Sequence, residues 1–363
     1  MEDMREVKNR SFFEPSIINK MPEHEHEQVV FCEDNKTGLK AIIAIHDTAL
    51  GPSLGGVRMW HYKNGLEAIR DALRLSKSMT YKASVAGLNL GGGKAVIIDN
   101  SIKNKSPELF RRFGQFIESL NGKYITAQDI GTSSNDMKYI KIETNHVTCL
   151  PESTGGAGDP SPKTAHGIYM GMKACAKLCY GNSGLENKII IVQGAGHVGM
   201  HLVEWLAKEN AKVYISDINE EKVKELSKKY NVEPVGVDKV YDMEMDIYSP
   251  CALGATLNDD TLRRLKCSII AGGANNQLTD ENVHGKMIME KGIIYAPDFV
   301  INAGGLINCY SEVIGYNWKY VFDKVEDIYS TVLDILKISK EENAPANLVA
   351  KRIAEQRINE AKK

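Results

Sequence analysis

The sequence predicts an α/β protein of two domains, in which the second domain contains a doubly wound parallel sheet. A chain of 363 residues is long for one domain, so two are expected. After residue 187, short apolar strands alternate with helical segments, which is typical of a parallel sheet covered by helices. The glycine- and proline-rich residues 154–162 precede this alternation and are predicted to form the hinge between the domains.

The first half is predicted to mix strands and helices. Residues 28–33 and 39–47 are expected to pair as a hairpin around a turn-rich spacer. The elements that follow are a helix over 66–84, a strand over 95–98, a helix over 107–120, a strand over 123–126 and a helix over 134–142. The charged, helical C-terminus is expected to fold back over this half. The expected domains are therefore 1–150 with about 335–363, and 151–334.

The composition excludes several classes of protein. Acidic and basic residues nearly cancel, at a net charge of −2, and no basic run suggests nucleic-acid binding. No segment approaches the ~20 apolar residues of a membrane span, and the N-terminus lacks the apolar core of a secretion signal. The seven cysteines are scattered, which argues against a disulfide framework, and the motif HEHE at 24–27 has no partner cluster for a metal. We expect a cytoplasmic protein without a metal site.

A glycine-rich turn in the second half predicts a dinucleotide site. Gly194, Gly196 and Gly199 form the pattern G-x-G-x-x-G between an apolar strand at 189–192 and a helical segment. Such glycines allow a tight turn, a close approach of the backbone to a pyrophosphate, and close packing of helix on strand. Asp217 ends the next strand, where a carboxylate can bind ribose hydroxyls and repel a 2′-phosphate. The predicted cofactor is NAD rather than NADP; the alternative is a related fold that binds no nucleotide.

Three charged residues in the first half are candidates for the chemistry. Lys82 ends a predicted helix, Lys94 follows three glycines and precedes a buried strand, and Asp129 follows another strand. The glycines are expected to bring the backbone close to a small substrate. The stretch is not a Walker phosphate loop, because Leu88 and Ala95 stand where that motif needs a glycine and a serine or threonine. Each charged residue alone could be structural, but together they indicate a substrate site.

Eight motifs resemble the glutamate/leucine/phenylalanine/valine dehydrogenase family, most closely its leucine-specific members. In chain order they are GPSLGGVRMW, MTYKASVAGLNLGGGKAVI, YITAQDIGT, GDPSPKTAHGIYMGMKA, QGAGHVG, CALGATLND, AGGANNQL and APDFVINAGGLIN. The resemblance implies an N-terminal substrate-binding and oligomerisation domain separated by a cleft from a Rossmann-type NAD-binding domain. It also implies reversible oxidative deamination of an L-amino acid to its 2-oxo acid, ammonia and NADH, by a homo-oligomer that is an octamer or smaller.

The same resemblance implies roles for individual residues. Lys94 matches the catalytic lysine and Asp129 the acid/base carboxylate. The remaining matches are Lys82 and Asn276 at the substrate α-carboxylate, Gly55, Gly56 and Met79 elsewhere around the substrate, Thr164 and Asn302 around the nicotinamide, and His197, Val198, Cys251 and Ala252 elsewhere around the cofactor. Independently, the reaction needs a desolvated lysine near a second cation, whose lowered pKa lets it exchange protons and stabilise a developing oxyanion. Gln128 departs from the leucine-specific members, which usually have glutamate there.

The accepted side chain is predicted to be apolar. Leu54 stands where glutamate-specific members have a lysine, so a substrate γ-carboxylate would be buried without a partner. The pocket candidates are Leu54, Ala127, Leu306 and Cys309, and the last two replace valines of the leucine-specific members. Leucine is favoured by the overall resemblance, but valine and isoleucine are hard to rank against it, since an extra methylene in such a pocket is worth only about 1–3 kcal/mol. The alternatives are the same reaction on phenylalanine or tryptophan, and a nucleotide-binding regulator without turnover.

Overall fold

The computed structural model describes residues 25–99 and 105–363 and contains two sheets. The first sheet has the order β1-β2-β4-β3-β5 and defines what we call the first unit. Its strands are β1 (Gln28–Asp34), β2 (Leu39–Asp47), β3 (Ser53–Trp60), β4 (Gly91–Ile98) and β5 (Tyr124–Gln128). The predicted hairpin is confirmed, because β1 and β2 pair antiparallel. Strand β3 was not predicted; it runs parallel to both β4 and β5 and joins them.

Helices cover both faces of the first sheet. They are α1 (Gly65–Val85), α2 (Pro107–Glu118) and α3 (Ser134–Lys141). Helix α1 starts at a cap in which the Asn64 side chain accepts from the Glu67 N–H. Its apolar stripe packs on one face of the sheet, while α2 and α3 pack on the other face.

The three glycines before Lys94 lie inside β4, which corrects the expectation that they bring the backbone to a ligand. A Cβ on Gly91 would lie 2.0 Å from the Asp47 carbonyl oxygen, and one on Gly92 would lie 2.2 Å from the Thr80 amide nitrogen. A Cβ on Gly93 would meet the Tyr124 ring at 2.7 Å. The glycines are therefore required because the end of β2, helix α1 and strand β5 pack directly against the β4 backbone.

The second sheet is parallel throughout and defines the second unit. Its order is β11-β10-β9-β6-β7-β8. The strands are β6 (Ile189–Gln193), β7 (Lys212–Ser216), β8 (Glu233–Pro234), β9 (Ile247–Pro250), β10 (Ile269–Ile270) and β11 (Ile294–Tyr295). From β6 the chain adds β7 and β8 on one side, and it then adds β9, β10 and β11 on the other side. This change of direction confirms the predicted doubly wound sheet.

The remaining helices follow along the chain, and all of them except the last connect or cover this sheet. They are α4 (Ser161–Tyr180), α5 (His197–Lys208), α6 (Glu220–Tyr230), α7 (Asp259–Arg264), α8 (Glu281–Glu290), α9 (Asp298–Ile301), α10 (Gly304–Val313), α11 (Trp318–Glu342) and α12 (Ala346–Ala361). A 3₁₀ turn (Glu152–Thr154) precedes α4 in the predicted hinge. No helix in the described ranges is long and apolar enough to cross a membrane, and all seven cysteines are free thiols.

The last two helices pack on different units. Helix α11 continues to Glu342 and packs along α4, so the expected boundary near 335 falls within this helix. Helix α12 then packs against α1 of the first unit. The Ser84 hydroxyl donates to the Ala354 carbonyl at 2.8 Å, and Arg357 Nη1 donates to the Leu88 carbonyl at 2.8 Å. The C-terminal helix thus fixes the end of α1, where Lys82 lies.

Candidate active site

One face of the first sheet carries most of the charged candidates. Side chains alternate along a strand, so the strand register decides which residues share a face. Leu54 of β3 lies beside Gly92 of β4, and Gly56 of β3 lies beside Ala127 of β5. Arg58 lies two residues beyond Gly56 on β3, and Lys94 lies two residues beyond Gly92 on β4, so both side chains are on this same face. This face points toward α1 and the second unit.

A cleft of about 1000 Å³ lies between the two units. The predicted site residues that line it are Leu54, Gly56, Met79, Lys82, Lys94, Ala127, Asp129, Thr164, His197, Val198, Asn302, Leu306 and Cys309. They come from β3, α1, β4, β5, α4, α5 and α10, so residues far apart in sequence meet here. The structure brings most of the predicted catalytic, substrate and nicotinamide residues together in one cavity.

Lys94 and Asp129 form a buried ion pair at the wall of this cleft. Lys94 Nζ lies 2.5 Å from Asp129 Oδ2, and the lysine side chain is only 7% exposed. The Asp129 loop is fixed by Thr132, whose hydroxyl accepts from the Asp129 N–H at 2.9 Å and donates to the Val57 carbonyl at 2.9 Å. The pair therefore has a defined orientation before any substrate binds.

Burial and neighbouring charges set the protonation of this pair. Burial lowers the pKa of Lys94, with Arg58 adding to that effect and Asp129 opposing it. For Asp129, burial opposes ionisation, but the adjacent Lys94 and Arg58 cations outweigh it and lower the pKa to about 2. The carboxylate is therefore ionised at neutral pH, while the lysine is easier to deprotonate than a lysine in water.

Lys82 is the second buried amine of the cleft. Burial lowers its pKa to about 8, partly opposed by Asp298 and reinforced by Lys94. Its Nζ donates to Asn275 Oδ1 at 3.0 Å across the cleft. Asn276, to which the resemblance assigned the second α-carboxylate contact, instead lines a neighbouring cavity, and its backbone is left-handed at φ 52°. The position beside Lys82 belongs to Asn275.

The apolar candidates line the same cleft, with two adjustments. Gly55 packs inside the sheet rather than on the cleft, because a Cβ there would lie 1.7 Å from the Gly93 carbonyl oxygen. Cys309 lies on α10 with its Sγ 2.9 Å from Cys149 Sγ, and that contact together with burial raises the pKa of Cys149. Cys309 forms part of an apolar wall of the cleft with Leu54 and Leu306.

The glycine turn after β6 has the geometry that a dinucleotide requires. Gly194 has φ +119°, and a Cβ on it would meet the Cys251 and Ala252 backbone within 2.8 Å. A Cβ on Gly199 would lie 1.9 Å from the Gly194 carbonyl oxygen, so α5 packs closely on the turn. At Gly196, the space around a Cβ is open to 4 Å, which leaves room for a phosphate beside the N-terminus of α5.

Asp217 supports this turn from the end of β7. Its Oδ2 accepts from the Ala195 N–H at 2.6 Å, and its Oδ1 accepts from the Asn219 N–H at 2.8 Å. Each carboxylate oxygen retains a further lone pair for a hydroxyl donor. Ile218 beside it is 92% exposed. The turn and Asp217 therefore fit the adenosine diphosphate part of a dinucleotide.

A buried amide marks the other end of the cofactor site. Asn302 Nδ2 donates to the Gly273 carbonyl at 3.1 Å and to Asn275 Oδ1 at 2.8 Å. Its Oδ1 is buried and has no hydrogen-bond partner within residues 25–99 and 105–363. Thr164 lines the same cleft, packs against Gly305 at the start of α10, and donates to the Pro160 carbonyl. An acceptor left free in this position suits the carboxamide of a nicotinamide, since buried polar atoms are normally bonded.

Several residues of the site were missed from sequence. Arg58 and Asp71 form a second layer behind Asp129, and Asn275 takes the position given to Asn276. Identifying β3 as a strand would have found Arg58, since it follows Leu54 and Gly56 at alternate positions. Within the described ranges no cluster of three metal-ligating side chains occurs, and His24 of the motif HEHE lies outside those ranges.

Two family models match the chain, one to each unit. Residues 26–146 match "Glu/Leu/Phe/Val dehydrogenase, dimerisation domain", and residues 214–363 match "Glutamate/Leucine/Phenylalanine/Valine dehydrogenase".

Individual proteins match over nearly the whole length. The leucine dehydrogenase of Thermoactinomyces intermedius is 52% identical over 347 residues, covering 96% of this chain and 94% of the relative. The L-tryptophan dehydrogenase of Nostoc punctiforme is 46% identical over 338 residues, covering 93% of this chain and 95% of the relative. The crystal structure of L-tryptophan dehydrogenase from Nostoc punctiforme superimposes with a TM-score of 0.80 at 43% identity, covering 96% of this chain and all of that chain.

Proposed function

The chain belongs to the glutamate/leucine/phenylalanine/valine dehydrogenase family, and from this we propose that it catalyses the NAD-dependent, reversible oxidative deamination of branched-chain L-amino acids. The products are the 2-oxo acid, ammonia and NADH. The observation that carries the proposal is the buried Lys94–Asp129 pair, which shares one cleft with Lys82 and Asn302. The reaction needs two proton-transfer groups, a cation for the substrate carboxylate and a contact for the nicotinamide, and these four residues supply them.

Lys82 and Asn275 hold the substrate. The Lys82 ammonium pairs with the α-carboxylate, and the Asn275 amide, already bonded to Lys82, orients it. A pKa near 8 leaves Lys82 largely cationic at neutral pH. Because both groups are buried, their attraction for a carboxylate is only weakly screened by water. The α-carbon is thereby placed between the Lys94–Asp129 pair and the nicotinamide region around Asn302.

Lys94 and Asp129 move the protons. When bound, the nicotinamide supplies the acceptor for the substrate's α-hydrogen. Asp129, which is ionised, can take the proton that the substrate ammonium loses and return one to departing ammonia. Lys94, with its lowered pKa, can take a proton from the water that adds to the imine carbon, and as a cation it stabilises the negative charge on that oxygen.

The lining of the cleft supports an aliphatic substrate. Leu54, Ala127, Leu306 and Cys309 present carbon and thiol surface to the substrate side chain. A γ-carboxylate there would be desolvated without a cation, which is strongly unfavourable. We favour leucine, valine and isoleucine over phenylalanine or tryptophan, because the leucine dehydrogenases are the more similar relatives, at 50–52% against 45–46% identity.

The cofactor and the assembly are part of the same proposal. Asp217 favours NAD over NADP, because a 2′-phosphate would be repelled by this carboxylate. The match of residues 26–146 to a dimerisation domain supports a homo-oligomer. Seven free thiols suit a reducing compartment, which supports a cytoplasmic location.

Absorbance at 340 nm tests the proposal directly. We expect NADH formation from purified protein, NAD and L-leucine, L-valine or L-isoleucine at alkaline pH, with much slower turnover of L-phenylalanine, L-tryptophan and L-glutamate. Lys94→Ala should abolish turnover and still quench or shift NADH fluorescence on binding. Lys105→Ala is the matched control, since Lys105 pairs with Asp136 at 2.9 Å outside the cleft. NADH binding by the wild type without turnover of any amino acid would favour the regulator instead.

A further inference from the structure

Asp129 is held by two cations rather than one. Besides Lys94, Arg58 Nε donates to the same Oδ2 atom at 3.1 Å. Arg58 lies on β3, while Lys94 lies on β4 and Asp129 follows β5. The carboxylate is therefore fixed from two neighbouring strands, and its position relative to Lys94 depends on where the guanidinium lies.

The Arg58 guanidinium also bonds a second carboxylate, that of Asp71. Arg58 Nη1 donates to Asp71 Oδ2 at 2.9 Å, and that oxygen also accepts from the Tyr62 hydroxyl at 2.8 Å. The side chains of Arg58 and Asp71 are only 15% and 14% exposed. Charges thus alternate along Lys94, Asp129, Arg58 and Asp71, from the cleft to a second cavity of about 540 Å³ lined by Arg58, Tyr62 and Asp71.

We propose that Arg58 is a positioning residue for the reaction, which orients the Asp129 carboxylate against Lys94 and is anchored by Asp71. This inference rests on the proposed roles of Lys94 and Asp129. The geometry favours arginine over lysine at this position, because a planar guanidinium can bond two carboxylates in fixed directions and an ammonium on a flexible stem cannot. Without Arg58, Asp129 keeps its ion pair with Lys94 but loses the second donor that fixes the direction of its carboxylate.

The same chain of charges acts on the titration of Lys94. The charged groups that face Lys94 are Asp129, Arg58 and Asp71, with Lys82 on α1 across the cleft. The Arg58 cation lowers the pKa of Lys94, whereas the Asp71 anion raises it. Removing the two charges should therefore shift the titration of Lys94 in opposite directions, a result that a purely structural role does not predict.

The experiment compares Arg58→Met, Arg58→Lys and Asp71→Asn with the wild type. Two readouts are used: the pH profile of kcat/KM, and the pH dependence of Lys94 acetylation by trace acetic anhydride, quantified by mass spectrometry. Arg58→Met should lower kcat about 10- to 100-fold and move the Lys94 titration to higher pH, because the Arg58 cation lowers the Lys94 pKa. Asp71→Asn should move it down. Arg58→Lys should keep the titration near the wild-type value while kcat still falls.

Arg112→Met is the matched control. Arg112 also uses its Nε to bond a carboxylate, that of Asp34 at 3.2 Å, but it lies on α2 at the opposite face of the sheet. It should change neither readout.

The inference is overturned if the wild type turns over amino acids while Arg58→Met and Asp71→Asn leave the Lys94 titration and kcat unchanged, or shift the titration in the same direction. Failure of the proposed function would look different, because the wild type itself would then show no turnover. The acetylation readout in Asp71→Asn and Arg58→Lys keeps the test decisive if Arg58→Met does not fold.

Discussion

The substitution Gly92→Ala tests why β4 begins with three glycines. A Cβ at Gly92 would lie 2.2 Å from the Thr80 amide nitrogen and 2.5 Å from the Ser76 carbonyl oxygen. Both atoms belong to the α1 backbone, so no side-chain rotation relieves the contact. Ordinary contact begins near 3.4 Å, so α1 must move away from β4 by about 1.2 Å, the difference between 3.4 and 2.2 Å.

That displacement reaches the candidate site directly. Lys82 lies only two residues beyond Thr80 on α1, whereas Lys94 lies two residues beyond Gly92 on β4. Overpacking of this kind typically costs about 1–3 kcal/mol of stability. A shift of about 1 Å between two groups that act on one substrate can lower activity about 100-fold. We therefore expect Gly92→Ala to lose far more activity than its loss of stability would explain.

Urea unfolding and the NADH assay measure the two effects. Gly65→Ala is the control, because Gly65 opens the same helix and a Cβ there meets nothing within 4 Å. It should be neutral or stabilising by up to about 1 kcal/mol, with unchanged kinetics. If Gly92→Ala proves as stable and as active as Gly65→Ala, the glycine is not there to let α1 approach β4, and the reasoning fails.

Three further predictions follow from the cleft. Leu54→Lys should raise kcat/KM for L-glutamate and lower it for L-leucine, and no gain on glutamate would mean that residue 54 does not face the substrate side chain. In the proposed function Lys82 must be cationic to bind the α-carboxylate, and its pKa is lowered to about 8, so kcat/KM for L-leucine should fall as the pH rises through about 8. Lys82→Arg stays charged and should therefore lose this fall in kcat/KM. Asp217→Ser should narrow the preference for NADH over NADPH in a fluorescence titration, while Asp242→Ser, at a carboxylate paired with Arg264 on the surface, should leave it unchanged.

The sequence predicted the second unit better than the first. In the second unit, few folds are compatible with the strict alternation of apolar strands and helices, and the glycine turn identifies the first strand of the sheet. In the first unit, β3 contains Gly55 and Gly56, which disfavour a strand by propensity, so its place between β4 and β5 was not expected. The glycines are tolerated because backbone packs on backbone there, a property of tertiary contacts that no local pattern shows.

The candidate site could likewise be predicted only in part, because its geometry depends on tertiary contacts. Lys94 and Asp129 could be selected from sequence because they stand beside predicted buried strands, and Lys82 because it ends the predicted helix before them. Their order in space could not, since it depends on strand register. Asn275 and Asn276 are adjacent and chemically identical, and only the structure shows that Asn275 bonds Lys82, whereas Asn276 has a left-handed backbone and lines the neighbouring cavity. The Arg58–Asp71 pair lies behind the cleft and has no motif of its own.

The path of the chain between the units bears on how the cleft can close. The chain crosses first at 150–160, where Glu312 Oε1 accepts from the Cys149 and Ala157 N–H groups at 2.8 Å and so ties this segment to α10. It crosses again between α11 and α12, where Asn343 is left-handed at φ 50°. Because Arg357 of α12 bonds the end of α1, the helix that carries Lys82 moves with α12. Any opening of the cleft that separates Lys82 from Asn275, which are 3.0 Å apart here, therefore requires rotation at both crossings, and the predicted hinge at 154–162 covers only the first of them.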